Sequence, residues 1–122
     1  MSLKRALESV ARRLHDPWFL ALLGPDGLAI EALQFPASSG MEPEEVCVEA
    51  ASLLRALAQS HDEFGDGAGV AGLSVSLGRA RFELSRFDED VYLLAVSGAG
   101  NPQARVHFEL RRGTLQLSKF FD

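Results

Sequence analysis

The chain has 122 residues and a formal net charge of −5. A chain of this length forms one domain with its own hydrophobic core, here residues 1–122. Hydrophobic residues make up 47% of it and charged residues 24%, the composition of an ordinary globular protein. The acidic balance argues against nucleic acid or an anionic membrane as the main partner.

The sequence indicates neither secretion nor disulfide chemistry. Residues 1–14 carry a charge every few positions and lack the apolar segment of a signal peptide. No apolar run approaches the ~20 residues that a membrane span needs. Cys47 is the only cysteine, so an internal disulfide is impossible. We therefore expect a soluble, reduced, cytoplasmic protein.

The chain opens with a predicted helix and a predicted β-hairpin. Apolar residues between Leu3 and Leu14 recur at i, i+3, i+4 and i+7, which is typical of an amphipathic helix. Asp16-Pro17 ends this helix, because the residue before a proline disfavours the α region. The apolar segments 18–23 and 28–33 then flank Gly24-Pro25-Asp26-Gly27, whose residue types are those of a tight turn.

A second, longer helix is predicted over residues 44–64, and its apolar surface is unusually wide. At about 100° per residue, its apolar side chains cover an arc of roughly 160°, whereas a helix packed on one sheet needs about 100°. The surplus consists of Cys47, Ala51 and Ala58 with Leu54 between them. These small residues suit close approach of a second helix. The alternative is a helix sunk deeply into its own core.

Three strands follow, at residues 70–77, 81–87 and 91–97. The first alternates apolar and polar side chains, the second directs Phe82 and Leu84 inward, and the third is the most hydrophobic and therefore central. The glycine-rich segment 65–69 that precedes them lacks the lysine of a phosphate-binding loop and follows a helix, so we interpret it as a connector.

The first of these strands has the features of an interface. No charged residue occurs from Ala68 to Gly78, and an edge strand without charge or proline is open to pairing. Two copies could pair antiparallel about a two-fold axis, which would also bring the wide apolar arcs of two long helices together. The predicted dimer interface consists of Cys47, Ala51, Leu54, Ala58, Val70, Gly72, Ser74 and Ser76.

The closing segment fits two structures. Asn101-Pro102 is a typical helix start, and the apolar residues from Val106 to Phe121 follow a helical stripe. Val106, Phe108 and Leu110 also alternate, however, and Arg112-Gly113-Thr114 could form a hairpin turn. We favour the helix.

The residues that usually perform chemistry are not grouped in the sequence. His15, His61 and His107 fall in three different predicted elements, without metal-ligand spacing. Cys47 lies among apolar residues, as a packing residue does. Asp88-Glu89-Asp90 is interpreted as a solvated turn. We expect no enzyme activity, no cofactor and no metal.

These elements together resemble a known family. The first helix, the 18–33 hairpin, the long second helix, and the three strands ending in Val91-Tyr92-Leu93-Leu94-Ala95-Val96 are similar to the roadblock family of dynein light chains and bacterial gliding-type regulators. The last helix of that family matches Asn101-Pro102 through Leu110 in placement, whereas Gly113-Thr114 departs from the family's usual helix formers.

The resemblance implies a fold, an assembly and a partner. The fold is an α+β sandwich of the profilin-like roadblock type, in the order α-β-β-α-β-β-β-α, with a five-stranded antiparallel sheet flanked by helices. The assembly is a homodimer with one continuous sheet. The partner is a small Ras-like GTPase of the bacterial gliding type. The protein would regulate or scaffold this GTPase without catalytic residues of its own, and this role could include stimulation of GTP hydrolysis.

A second hypothesis is a small-molecule sensor of profilin-like or PAS-like type, with Trp18, Phe82 and Phe87 lining a pocket. Such a sensor requires a substantial buried cavity on one face of the sheet. A roadblock-type dimer instead requires a filled core and a large apolar two-fold interface.

Overall fold

A computed structural model describes residues 2–24, 26–36, 40, 42–64, 70–88, 91–100 and 102–120, and within these ranges the side chains at 58–64, 77, 88, 103 and 120 are left aside. The turn residue Pro25, the glycine-rich segment 65–69, Glu89-Asp90 and Asn101 lie outside the described residues. The elements are α1 (Leu3–Arg12), β1 (Pro17–Leu23), β2 (Ala29–Gln34), α2 (Pro43–Phe64), β3 (Gly72–Leu77), β4 (Ala80–Asp88), β5 (Val91–Gly98), α3 (Gln103–Leu117) and a closing 3-10 turn (Ser118–Phe120).

The five strands form one antiparallel sheet in the order β2-β1-β5-β4-β3. The predicted α-β-β-α-β-β-β-α order and the five-stranded antiparallel sheet are therefore confirmed. The hydrophobic strand β5 lies in the centre, as predicted, and nearly all of its residues are buried. The uncharged strand β3 lies at one edge of the sheet.

Helices cover the two faces of the sheet and form two separate hydrophobic clusters. On one face, α1 and α3 pack on Leu20, Leu22 and Leu93. On the other face, Cys47 and Ala50 of α2 pack with side chains of β1, β4 and β5. The alternation of side chains along each strand supplies both faces at once.

The β1–β2 hairpin closes through the predicted turn. Gly27 has φ +82, a conformation that glycine adopts without a steric penalty. The Asp26 carboxylate accepts a hydrogen bond from the Leu28 N–H at 3.1 Å. This turn carboxylate is therefore engaged in holding the backbone.

The closing segment is one continuous helix, and the hairpin alternative is wrong. Gly113 is buried inside α3, and a Cβ placed there would lie 3.0 Å from Val10 Cγ2 and 3.3 Å from Leu93 Cδ2. Glycine at this position therefore lets α3 approach both α1 and the sheet closely. The departure from usual helix formers has a packing reason.

A polar clamp also joins α1 to α3. Arg13 donates from Nε to the buried Glu109 carboxylate at 2.9 Å and from a terminal nitrogen to the Gln116 side-chain oxygen at 2.8 Å. Burial of a carboxylate is costly without a charged partner. Arg13 supplies that partner from the residue that caps α1.

Candidate protein–protein interface

The strand β3 lies at the edge of the sheet, so one side of its backbone faces away from the other strands. It pairs with β4 from Gly72 to Leu77, and the Arg86 N–H donates to the Ala71 C=O at 2.9 Å. In an antiparallel ladder, residues that bond to the neighbouring strand alternate with residues that face away from it. The N–H and C=O groups of Gly72, Ser74 and Ser76 therefore point to the free edge. We call these three residues the β3 edge.

The start of this strand is held firmly in place. Tyr92, on the central strand, donates its hydroxyl hydrogen to the Val70 C=O at 2.6 Å. A Cβ added to Gly72 would lie 3.1 Å from the Leu84 carbonyl oxygen, so the backbones approach closely there. The β3 edge is thus part of the ordered sheet, and little conformational entropy is lost when it pairs.

The two faces of β3 differ in chemistry. Leu73 and Val75 pack beside the cluster that α2 covers. Ser74 stands opposite Glu83 in the ladder, so the serines share the face of the sheet that carries α3. A shift of one residue in any pairing would exchange these faces and put apolar side chains among polar ones.

The long helix α2 turns the small-residue side of its arc toward its own sheet. Cys47 is only 3% exposed and Ala51 is buried as well. Ala51 faces the hairpin turn, where a Cβ added to Gly27 would lie 3.1 Å from the Ala51 Cβ. The small side chains therefore admit the protein's own hairpin and sheet. Leu54 is half-buried beside the same cluster, and the Ala58 side chain lies outside the described residues.

The surface that α2 leaves exposed lies on both sides of the arc, with Leu53 and Leu57 at the margin opposite the small residues and Val48 about 60° beyond Ala51. Val48 is 52% exposed, and Leu53 and Leu57 are exposed as well. The predicted contacts of Cys47 and Ala51 with a second chain stay a prediction. Both side chains are buried within their own protomer, so little of their surface is accessible to a second chain. Sequence reasoning placed Leu53 and Leu57 in the apolar arc but not in the interface.

Cys47 has the surroundings of an inert thiol. Burial raises the pKa of the Cys47 thiol, because the thiolate would lose its hydration among apolar side chains. The thiolate is the reactive form, so Cys47 is held in its unreactive form. Among the described residues, no group of three metal-ligating side chains lies together.

The polar face beside α3 contains a buried carboxylate that sequence reasoning missed. Glu83 is 2% exposed, and its Oε1 lies 3.2 Å from His107 Nδ1. The alternation of Arg81, Glu83 and Ser85 with apolar residues indicated an outward polar face. Helix α3 covers that face, so Glu83 is buried.

A cleft opens on the opposite face, between the start of α2 and the strands β4 and β5. Its volume is about 380 Å³. Its apolar floor includes Val46 and Phe82, and Glu42, Glu45 and Glu49 line it from α2 and the residue before it. We call it the acidic cleft. Phe82 lines it as the sensor hypothesis requires, whereas Trp18 packs in the α2-side cluster and Phe87 packs on the other face of the sheet.

No protein-family model matches this sequence, and no curated protein sequence does. Solved structures do match. The Roadblock/LC7 domain from Streptomyces avermitilis is 19% identical with a TM-score of 0.83, covering 99% of this chain and 98% of that one. The gliding protein MglB from Thermus thermophilus is 15% identical with a TM-score of 0.83, over 94% of this chain and 84% of that one. Myxococcus xanthus MglB is 10% identical with a TM-score of 0.83, over 97% and 93%.

The class of protein is therefore an α+β sandwich, with a five-stranded antiparallel sheet between helices. Within that class, the chain has the roadblock fold, as the sequence resemblance predicted. In the described part of the chain, no helix has both the length and the hydrophobicity that a bilayer crossing requires.

Proposed function

We propose that this protein is a homodimeric, non-catalytic regulator or scaffold of a small Ras-like GTPase in the bacterial cytoplasm. The observation that carries the proposal is the β3 edge: an ordered, uncharged strand at the border of the sheet, without lysine, glutamate or proline to block pairing. A second copy is the simplest occupant, because an antiparallel two-fold pairing presents the same strand to itself.

A two-fold axis through Ser74 uses the β3 edge fully. It places Gly72 opposite the partner copy's Ser76 and Ser74 opposite its equivalent. Each outward residue offers one N–H and one C=O, so this register forms about six backbone hydrogen bonds. It also keeps Leu73 and Val75 of both copies on the α2 side, which makes one ten-stranded sheet with matched faces.

Helix α2 adds apolar surface to this dimer. Leu53, Leu54 and Leu57 offer apolar side chains that the described part of the protomer does not fully cover. Ala58 remains in the proposed contact, on the predicted arc. Cys47 and Ala51, which are also predicted at the interface, pack α2 on its own hairpin and sheet and so hold the exposed leucines in position.

The proposed partner follows from the resemblance and from the neighbours. The roadblock resemblance implies a small Ras-like GTPase, and the structural neighbours include bacterial gliding proteins and one MglB with a tetrameric arrangement. The chain carries no catalytic constellation in its sequence. Any stimulation of GTP hydrolysis would therefore act by positioning the GTPase's own water-orienting and charge-stabilising groups.

The geometry favours this proposal over a small-molecule sensor. The acidic cleft is open to solvent and has acidic walls, whereas a sensor encloses its ligand. The proposed interface instead uses the whole border of the sheet. It needs no cofactor and no metal.

The proposal is tested by affinity capture from cell extract loaded with GTP or with GDP, using tagged protein as bait. Recovery of a small GTPase in either nucleotide state, confirmed by titration with the purified GTPase, supports the function. Failure to recover a small GTPase in both states contradicts it. A variant with Glu8→Ala, on the exposed side of α1, serves as a surface control.

A further inference from the structure

Helix α3 carries an exposed apolar stripe that its own sheet does not use. Phe108 is 61% exposed and Leu115 is 74% exposed, which makes Leu115 the most exposed of the large hydrophobic side chains described. At about 100° per residue, these two side chains lie within about 20° of each other on the helix. Exposed Ala104 extends the stripe toward the helix start. We call this surface the α3 stripe.

The α3 stripe has basic borders. Arg105 and Arg112 flank it on one side and Arg111 flanks it on the other, and all three are exposed. Within the described residues, the ion pairs of α3 involve Glu109 and His107 and none of these arginines. The stripe therefore offers apolar anchors between positive charges.

The acidic cleft has the complementary chemistry. Its apolar floor would receive an apolar anchor, and its three glutamates are exposed. Seven residues separate Glu42, just before α2, from Glu49, and seven separate Phe108 from Leu115, so the two sets have similar lengths of about 10 Å. Charge, apolar character and length agree between the two surfaces.

One molecule cannot bring these two surfaces together. The α3 stripe lies beyond the face of the sheet that α1 and α3 cover, whereas the acidic cleft lies on the α2 face. The five-stranded sheet separates them. An α3 stripe that enters an acidic cleft must belong to another copy of the chain.

We propose that the acidic cleft of one molecule receives the α3 stripe of a second copy. The contact joins two different surfaces, so it is heterologous and leaves one stripe and one cleft free on the assembly. It can therefore link the proposed two-fold dimers into larger assemblies, and it does not depend on the β3 edge. Its apolar area is small and its borders are charged, so it is weak and sensitive to salt.

A charge exchange tests this contact. One variant carries Glu45→Arg and Glu49→Arg in the cleft, and a second carries Arg105→Glu and Arg112→Glu on the stripe. Each variant repels its own kind at this contact, whereas a mixture restores opposite charges between them. Glu44→Arg is the matched control, because it changes the first turn of α2 without lining the cleft.

The readout is surface-based binding, with one variant immobilised and the other in solution, after circular dichroism has shown that both variants fold. Mixed pairs should bind at least tenfold more tightly than either variant binds itself, and 0.5 M salt should remove most of the difference. Adding Phe108→Ala to the stripe variant should weaken the mixed pair. Both variants also carry Ser74→Pro, so that exchange of the proposed two-fold dimers does not contribute to the difference.

Mixed pairs that bind no more tightly than self pairs would overturn the proposal. A second result would also overturn it. If the cleft variant no longer bound a basic protein other than this chain, while its self-association at high concentration matched wild type, the cleft would serve that other protein. Neither result bears on GTPase capture, which tests the proposed function separately.

Discussion

Ser74→Pro is the sharpest perturbation of the proposed dimer, because Ser74 lies at the centre of the β3 edge. Its N–H points away from β4, so proline removes an outward donor without removing a bond of the ladder to β4. In a two-fold register centred there, both copies lose this donor, at about 1 kcal/mol each. The proline rings add steric conflict at the axis.

The expected weakening is therefore at least about 2 kcal/mol, or roughly 30-fold in the dimer dissociation constant. Sedimentation equilibrium over a range of protein concentrations measures it, and Ser74→Thr is the control because threonine keeps the N–H and suits a strand. Chemical denaturation checks that the protomer stays folded. If Ser74→Pro folds and dimerises as tightly as wild type, the β3 edge is not the interface.

Three further predictions concern the protomer. Gly113→Ala should lower the free energy of unfolding by about 1 kcal/mol, since overpacking between helix and sheet outweighs the better helix propensity. Urea denaturation measures this, with Gly100→Ala as the control because that position faces open space. Equal stability of the two variants would refute the packing argument. Arg13→Met should lower the free energy of unfolding by about 2 kcal/mol, because it leaves the Glu109 carboxylate unpaired. Adding Glu109→Leu should restore most of this stability in the same assay. If it restores none, loss of the ion pair is not the cause. Cys47 should react with a disulfide reagent only at the rate of unfolding, because burial raises the pKa of its thiol; labelling at the speed of the denatured chain would contradict this.

The strand pattern of the sequence predicted the architecture well, for physical reasons. Alternation identified β3, continuous hydrophobicity identified β5 as central, and glycine and proline marked the hairpin turn. The sequence predicted that β3 would be open to pairing if it lay at the edge of the sheet, and the strand order places it there.

The sequence was less informative about α2, because a helical wheel shows the width of an apolar arc but not which margin faces the sheet. Small residues at one margin predicted contact with a second helix, which stays a prediction, and Ala51 also meets the hairpin turn at Gly27 of its own chain. Leu57, at the other margin, is exposed. Tertiary packing decides which margin of the arc faces the sheet, and the periodicity of the helix sequence carries no information about that choice.

Buried charges also escaped sequence reasoning. Glu83 and Glu109 occupy positions that period and polarity assign to solvent, yet α3 covers Glu83, and Arg13, directly after α1, pairs with Glu109. A partner 96 residues away in the chain leaves no local signal.

The central claim is tested most directly by titrating the purified protein with a purified small Ras-like GTPase of the gliding type, loaded in turn with GDP and with a non-hydrolysable GTP analogue. Calorimetry gives the affinity and the number of chains that each GTPase engages. We predict saturable binding in at least one nucleotide state, with two chains in each complex. An absence of binding in both states, with the protein shown to be folded, would contradict the proposed function.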